Sequence, residues 1–358
     1  MASELGLGLA KRGHEVHFVS YATPFRLSDF HQNVYIHEVE VASYPLFKYP
    51  PYALALATKL VDVAHEYGLD LIHAHYAIPH AASAFLAKHM LSEQNVKTVT
   101  TLHGTDITLM GLDSSFFRAI QFSIEESDGV TAVSSYLRRR TIDEFQIKKD
   151  IRVIYNFIDI DRYNPNNEKC TKEHFAPNGE KILMHASNFR PLKRVADVVR
   201  IFDKVRHKIP SKLLLVGEGP ERLFVQQLVK ELGISEDVSF LGEQNYLERL
   251  LPCADLFILP SEQESFGLVA LEAHSCGVPV IGSATGGLPE VVIDGETGFL
   301  FPIGEVSKMA SRILDLLHDQ ESFQTLSQNS RRRAVECFDT QKIIPQYEAF
   351  YQEILDSE

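Results

Sequence analysis

Short apolar runs, each closed by Gly, Pro, Asn or Ser, alternate with longer stretches of helical periodicity along nearly all of this 358-residue chain. Alternation of that kind folds as a parallel sheet with helices on both faces, because parallel strands need a crossover and each crossover covers a face. The first series of apolar runs occupies residues 15–20, 34–41, 69–76, 96–106, 129–133 and 151–155, with helices over 53–67, 79–91 and up to about residue 126. Residues 161–179 carry the turn signals Asn-Pro-Asn-Asn and Pro-Asn-Gly and form the linker candidate. A second series follows at 181–186, 213–217, 238–242, 256–260 and 278–282, and two helices, about 306–317 and 340–355, end the chain. The expected fold is α/β, with two Rossmann-like doubly wound domains over 1–160 and 161–338 facing a cleft, and a helix over 339–358 crossing back to the first. Ligands of such sheets bind at the carboxyl ends of the strands, so the turns there are where function is sought.

Residues 2–13, Ala-Ser-Glu-Leu-Gly-Leu-Gly-Leu-Ala-Lys-Arg-Gly, read as a helix closed by Gly13 that feeds the run at 15–20. A Rossmann-like domain usually opens with a strand and a Gly-rich ligand loop, and neither precedes this helix. The expectation is therefore an N-terminal domain lacking its first strand and that loop, poorly stable for want of its central strand, and a chain weakly active or inactive alone.

With 45% hydrophobic and 23% charged residues the chain has globular composition. Its net charge of −13 disfavours nucleic acid and anionic membranes as partners, so any anionic ligand must find local cations. Cys170, Cys253, Cys276 and Cys337 show no CxxC spacing, which indicates neither a zinc site nor a disulfide scaffold and fits a reducing cytoplasm. No apolar run reaches the roughly 20 residues that a membrane-spanning helix needs.

The most informative turn spans residues 262–276, Glu-Gln-Glu-Ser-Phe-Gly-Leu-Val-Ala-Leu-Glu-Ala-His-Ser-Cys. A helix starting near Ser265 or Phe266 aims free N–H groups, that of Gly267 included, at the end of the preceding strand, where they favour a phosphate. Glu264 stands before the helix and Glu272 about two turns inside it, roughly 10–12 Å apart at about 1.5 Å per residue. That separation suits a ligand with a hydroxyl-bearing ring at each end and phosphates between, which describes a nucleotide sugar. Two solvated glutamates are the plain alternative, but Glu272 interrupts an apolar stretch, and an acid there needs a partner.

Ser187-Asn-Phe-Arg-Pro-Leu-Lys-Arg follows the first strand of the second series. Arg190, Lys193 and Arg194 at a helix start oppose the macrodipole, and a diphosphate explains them better than a solvated basic face does. Gly286-Gly287-Leu-Pro-Glu290 follows another strand and gives backbone N–H groups room to approach a ligand, while Gly217-Glu-Gly219 is a weaker loop of the same sort. In the first half His103-Gly-Thr-Asp106 ends an apolar strand. His103 can bond a sugar hydroxyl there, and Asp106 can fix its tautomer or cap the next helix. Tyr76, after His73-Ala-His75, is a candidate contact for an acceptor, with simple packing as the alternative.

The Glu-x7-Glu pair of Glu264 and Glu272, the Arg190/Lys193 pair and the Gly286-Gly-x-Pro-Glu290 segment together resemble the family 4 retaining glycosyltransferases of GT-B fold, over essentially the whole chain. The stretches at 24–26, 47–52, 73–80, 100–106, 155–159 and 187–190 are similar to the members of that family that pair a UDP-N-acetylglucosamine donor with an L-malate acceptor at the start of bacillithiol biosynthesis. The resemblance implies an α-glycoside product made without a metal or other cofactor. It implies Arg190 and Lys193 on the diphosphate, Glu272 on the ribose, Glu264 positioning the hexose and His103 near the reacting face. Ser187 and the backbone of Ser265, Phe266, Gly267, Leu268, Gly286 and Gly287 join the donor site, and Tyr76 and Thr101 the acceptor site. The implied partners are the UDP-sugar and a small dicarboxylate, with no nucleic acid and no membrane; a homo-oligomer is left open. Competing readings are a family member with an inositol phosphate, lipid-linked sugar or polysaccharide acceptor, an inactive truncated nucleotide-sugar-binding protein, and a UDP-sugar epimerase.

Overall fold

The structure, a computed structural model, describes the chain apart from residues 25, 26, 28, 42–47, 93, 109–112, 167–170 and 358. Phe25, Arg26 and Phe47 of the matched stretches, and Cys170, lie outside the described residues. The chain divides into two units, one of Met1–Asn156 with Gln341–Glu358 and one of Phe157–Thr340.

In the first unit the strands are β1 (Val16–Ser20), β2 (Val34–Glu38), β3 (Leu71–His75), β4 (Lys97–Leu102), β5 (Gly129–Ala132) and β6 (Arg152–Val153). β1 and β2 pair in parallel with Val16 opposite Val34, and β3 to β6 form a separate parallel sheet in sequence order. The described strands of this unit thus make two sheets. Apolar residues of the helix Tyr52–Tyr67, among them Leu56, Leu60 and Ala64, form a core with Ile72 and Ala74 of β3 and Ala84 and Ala87 of the helix Ala82–Met90. Every residue of β4 is buried, yet its sequence Lys-Thr-Val-Thr-Thr-Leu is far from the usual Val/Ile/Leu run. Its hydroxyls are paired instead, Thr100 with Ser127 at 2.8 Å and Thr101 with Thr131 at 2.7 Å.

The helix Thr340–Asp356 packs within this unit, where Tyr351 Oη meets His73 Nδ1 at 2.7 Å and Arg12 Nε donates to Glu348 at 2.7 Å. Gly129 permits the contact, because a Cβ there would lie 2.7 Å from Phe350.

The second unit holds β7 (Lys181–Ala186), β8 (Ser211–Val216), β9 (Val238–Gly242), β10 (Leu256–Leu259), β11 (Val280–Ser283) and β12 (Gly298–Phe301) in one parallel sheet of order β12-β11-β10-β7-β8-β9. The helix Val195–Arg206 presents Val195, Val198, Val199, Ile201, Phe202 and Val205 to a core with Leu213, Leu215, Leu256, Ile258 and Ile281. Burial of each such side chain contributes about 1.5–3 kcal/mol.

Strand order reverses between β7 and β10, and in an open parallel sheet the ligand crevice lies outside the strand ends at that switch point.

Two elements escaped the pattern. The helix Gln320–Phe338 buries Leu326, Ser330, Ala334 and Phe338, every fourth residue of an otherwise polar segment, so its apolar stripe is one residue wide. Strand β12 has one buried residue and three half-buried ones. Among the described residues Cys276, buried, and Cys337, exposed, are free thiols. No helix among the described residues is long and apolar enough to cross a membrane.

Candidate active site

At the switch point the turn after β7 and the turn after β10 lie against each other. Glu262 N donates to Leu192 O at 2.8 Å, and Lys193 Nζ reaches Glu264 Oε1 at 2.6 Å. The two side chains are 19% and 10% exposed, so each charge is largely out of water and held by the other. Arg194 is engaged elsewhere, its guanidinium bound to Glu262 at 2.6 Å and to Asp197 at 2.6 Å, which removes it from the set of cations free for a ligand. Arg190 is exposed and pairs with no carboxylate among the described residues.

The helix of the β10 turn is Leu268–Ser275, with Gly267 as its N-cap at φ +97°. It begins later than Ser265 or Phe266, where the sequence pattern put it, because Gly267 takes a left-handed conformation that a helix cannot include. Ala270 N and Leu271 N both turn back to Gly267 O, at 3.0 and 3.1 Å. The N–H groups of Leu268 and Val269 donate to nothing among the described residues, which leaves a helix N-terminus open to an anion.

Glycines let these turns approach backbone to backbone. A Cβ on Gly217 would collide with Ser187 O, on Gly219 with Asn188 O, on Gly286 with Glu264 O and on Gly287 with Ser265 O. Gly287 also donates its N–H to Glu264 O at 2.8 Å. That corrects the idea that it offers an N–H to a ligand: Gly286 and Gly287 brace the turn that carries Glu264.

Glu272, half-buried, has the partner its apolar setting demands, since Tyr163 Oη donates to Glu272 Oε1 at 3.2 Å. Tyr163 is 3% exposed, and its carbonyl accepts from Arg331 Nη1 at 2.8 Å and from Ser275 Oγ at 2.6 Å. Arg331 Nη2 binds Ile160 O at 3.0 Å as well, fastening the segment before Tyr163 to the sheet's helices. Ser187 Oγ meets His185 Nε2 at 2.8 Å and accepts from Phe189 N at 3.3 Å.

The strand ends of the first unit carry a different apparatus. His75 Nδ1 and His103 Nε2 share a hydrogen bond of 2.8 Å, and their rings stack with centroids 5.1 Å apart. His73 stacks on His75 at 4.4 Å and bonds Thr101 Oγ1 at 2.7 Å. Burial disfavours the charged imidazolium, taking His73 and His103 down to about 3 and His75 well below its ordinary value. Tyr76 lies beside His103, ring centroids 5.0 Å apart, with its backbone at φ +79°. This conformation is costly for a residue with a Cβ and is held by Tyr76 N donating to Thr101 O at 2.9 Å and Ala77 N to Asp106 Oδ2 at 2.8 Å.

Two expectations are refined here. Of the two roles offered for Asp106 it takes the one at the start of the helix Thr105–Thr108 and does not touch the His103 ring. It is 2% exposed and braces the turn by accepting from Gly104 N at 3.0 Å as well as from Ala77 N, while burial pushes its carboxyl up. Thr101 is fully buried with its hydroxyl engaged by His73 and Thr131, so it supports the site from beneath.

The residues missed were His75, Tyr163 and His185. His75 had a signal, standing two places from His73 and hence on the same strand face. His185 had one also, as a lone imidazole inside the apolar run Lys-Ile-Leu-Met-His-Ala. Tyr163, in the linker, had none.

A switch-point crevice with a cationic turn, an open helix N-terminus and two acids is equipped to hold a phosphorylated ligand, and comparisons with known proteins give the class of chain that carries it. Residues 1–162 match the family described as Glycosyltransferase Family 4, and residues 166–333 match Glycosyl transferases group 1. The fold resembles a glycosyltransferase from Rickettsia africae (TM-score 0.84, 22% identity, 99% of this chain and 94% of that one). It also resembles Anabaena Alr3699/HepE solved in complex with UDP-glucose (TM-score 0.81, 25% identity, 98% of this chain and 96% of that one). The chain belongs to the family 4 glycosyltransferases of GT-B fold. Among its relatives is the N-acetyl-alpha-D-glucosaminyl L-malate synthase of Bacillus anthracis, 48% identical over 99% of this chain and 93% of that protein.

Proposed function

We propose that the chain transfers N-acetylglucosamine from UDP-N-acetylglucosamine to the hydroxyl of L-malate with retention of configuration, the opening step of bacillithiol biosynthesis in the cytoplasm. The observation that carries this reading is the 48% identity to the malate synthase over 99% of this chain, which takes in both units. Arg190 and Lys193 bind the diphosphate together with the open N–H groups of Leu268 and Val269. Those cations supply the charge that stabilises the leaving group, with no metal required. Glu272, held by Tyr163, takes the ribose hydroxyls, and Glu264 orients the hexose after donor binding separates it from Lys193.

In the reacting step the bond from C1 to the diphosphate oxygen breaks and its electron pair stays with UDP. The malate hydroxyl oxygen bonds C1 from the same face, and its proton passes to a phosphate oxygen of the departing UDP. His103, neutral and positioned by His75, exchanges a hydrogen bond with the sugar, and Tyr76 contacts the acceptor.

The test is a product assay. The purified chain is given UDP-N-acetylglucosamine with L-malate, inositol phosphate or no acceptor, and UDP and the glycoside are followed by mass spectrometry and anomeric NMR. The reading requires malate-dependent UDP release and an α-glycoside of malate. Greater turnover with inositol phosphate, or a β-glycoside, would remove it.

A further inference from the structure

The sheet pairing between β7 and β10 is short, with Leu183 opposite Leu256 and Met184 opposite Phe257 and no pair beyond. One residue on, at the strand ends that flank the crevice, Ile258 O accepts from the side chain of His185 at 2.8 Å. A carbonyl only accepts, so His185 Nδ1 carries the proton. His185 is fully buried, its ring lies near those of Phe189 and Phe257, and burial lowers its pKa to about 4. The ring is therefore neutral at pH 7 and Nε2 has a lone pair but no hydrogen. Ser187 Oγ, 2.8 Å from that nitrogen, must be the donor.

With its hydrogen turned toward His185, the Ser187 oxygen presents its lone pairs to Phe189 N at 3.3 Å. Phe189 has φ +36° and no exposure, a left-handed backbone on a bulky side chain that persists only where its surroundings fix it. The next residue is Arg190, and three further on is Lys193.

We infer that His185 is a positioning residue: through a one-way chain of hydrogen bonds from Phe189 N–H to Ser187, from Ser187 to His185 and from His185 to Ile258 O, it fixes the turn that presents Arg190 and Lys193 to the donor diphosphate. Ser187 thereby acts on the turn and keeps no hydroxyl hydrogen for a phosphate. The inference rests on the proposed donor role of Arg190 and Lys193.

A double-mutant cycle on UDP affinity, read by titration calorimetry with melting temperature recorded in parallel, tests it. S187A and His185→Asn, which keeps a donor near Nδ1 but removes the acceptor at Nε2, should each weaken UDP binding about 5- to 10-fold. The double variant should be no weaker than either alone. His185→Gln, which can place an acceptor near Nε2, should recover most of the affinity although it perturbs the same core. If the two losses multiply, or if Gln and Asn weaken binding equally in step with melting temperature, His185 is a packing residue and the inference fails. Arg190→Ala is the reference. Unchanged UDP affinity in that variant overturns the diphosphate site itself, while a loss there with none in S187A overturns only the positioning chain.

Discussion

In the second unit the strand ends at the switch point bring Lys193, Arg194, Glu262 and Glu264 together in ion pairs, beside the open N–H groups of Leu268 and Val269. In the first unit the corresponding ends hold His73, His75 and His103 over Thr101 and Thr131, a cluster in which burial removes charge altogether. Both sites belong to parallel sheets of similar design, so the sheet does not dictate the electrostatics. The charged site has the means to hold an anion and to stabilise one as it departs. The neutral site exchanges hydrogen bonds with hydroxyl groups without attracting charge. In the proposed reaction the charged site serves the diphosphate and the neutral site the hydroxyl groups of the sugar.

The sharpest way to break this contrast is at Lys193. Lys193→Ala should lower kcat by about 10²- to 10³-fold, because a cation aimed at developing charge acts mainly in the transition state. A loss confined to KM would mean that it only binds the ground state.

Glu272→Gln should raise the donor KM by about 10-fold or more, with Tyr163→Phe weaker in the same direction, since a hydrogen bond to a charged group contributes about 1.5–3 kcal/mol. Steady-state kinetics with varied UDP-N-acetylglucosamine would check this; an increase in malate KM alone would put Glu272 on the wrong substrate.

The neutral site is probed by pH. His73 and His103 titrate near 3 when folded and near 6.5 when unfolded, so the unfolded state binds protons first as pH falls. Their contribution to stability is complete above about pH 6.5 and declines progressively as pH falls toward 3. Urea unfolding should thus weaken below pH 6.5, less steeply in His73→Gln than in the parent, while neither His73 nor His103 imprints an ionisation on kcat between pH 5 and 8. A kcat inflection near 6.5 that disappears in His103→Gln would show that the imidazole is charged in use.

The smallest effect is expected at Tyr351→Phe, which removes one hydrogen bond to His73 and should cost about 0.5–1.5 kcal/mol of stability with little change in kcat. Parallel denaturation and activity measurements separate the two.

Much of the second unit's site was legible because its chemistry is local. The Glu264/Glu272 spacing and the run from Ser187 to Arg194 put formal charges at strand ends, and charge at a helix start is conspicuous in a sequence. What the spacing concealed was allegiance. Arg194 looks like Lys193 in the sequence, yet one pairs with Glu262 and Asp197 and the other with Glu264. The glycines at 286 and 287 looked like ligand loops and are required by backbone contact with residues 264 and 265, which no local pattern encodes. In the first unit His103 was legible as a residue but its partner was not, because His75 comes from the neighbouring strand and Asp106, closer in sequence, turns to the backbone. The helix Gln320–Phe338 shows the same limit for the fold, since a stripe one residue wide is lost among polar neighbours until its packing partners are known.

The central claim is that the diphosphate sits against Arg190 and Lys193 at the start of the helix Leu268–Ser275. A structure of the chain with UDP-N-acetylglucosamine bound tests it most directly. It should show phosphate oxygens within hydrogen-bond reach of Arg190, Lys193 and the N–H groups of Leu268 and Val269, with the 2.6 Å contact between Lys193 and Glu264 opened. A diphosphate bound elsewhere with that contact intact would contradict it.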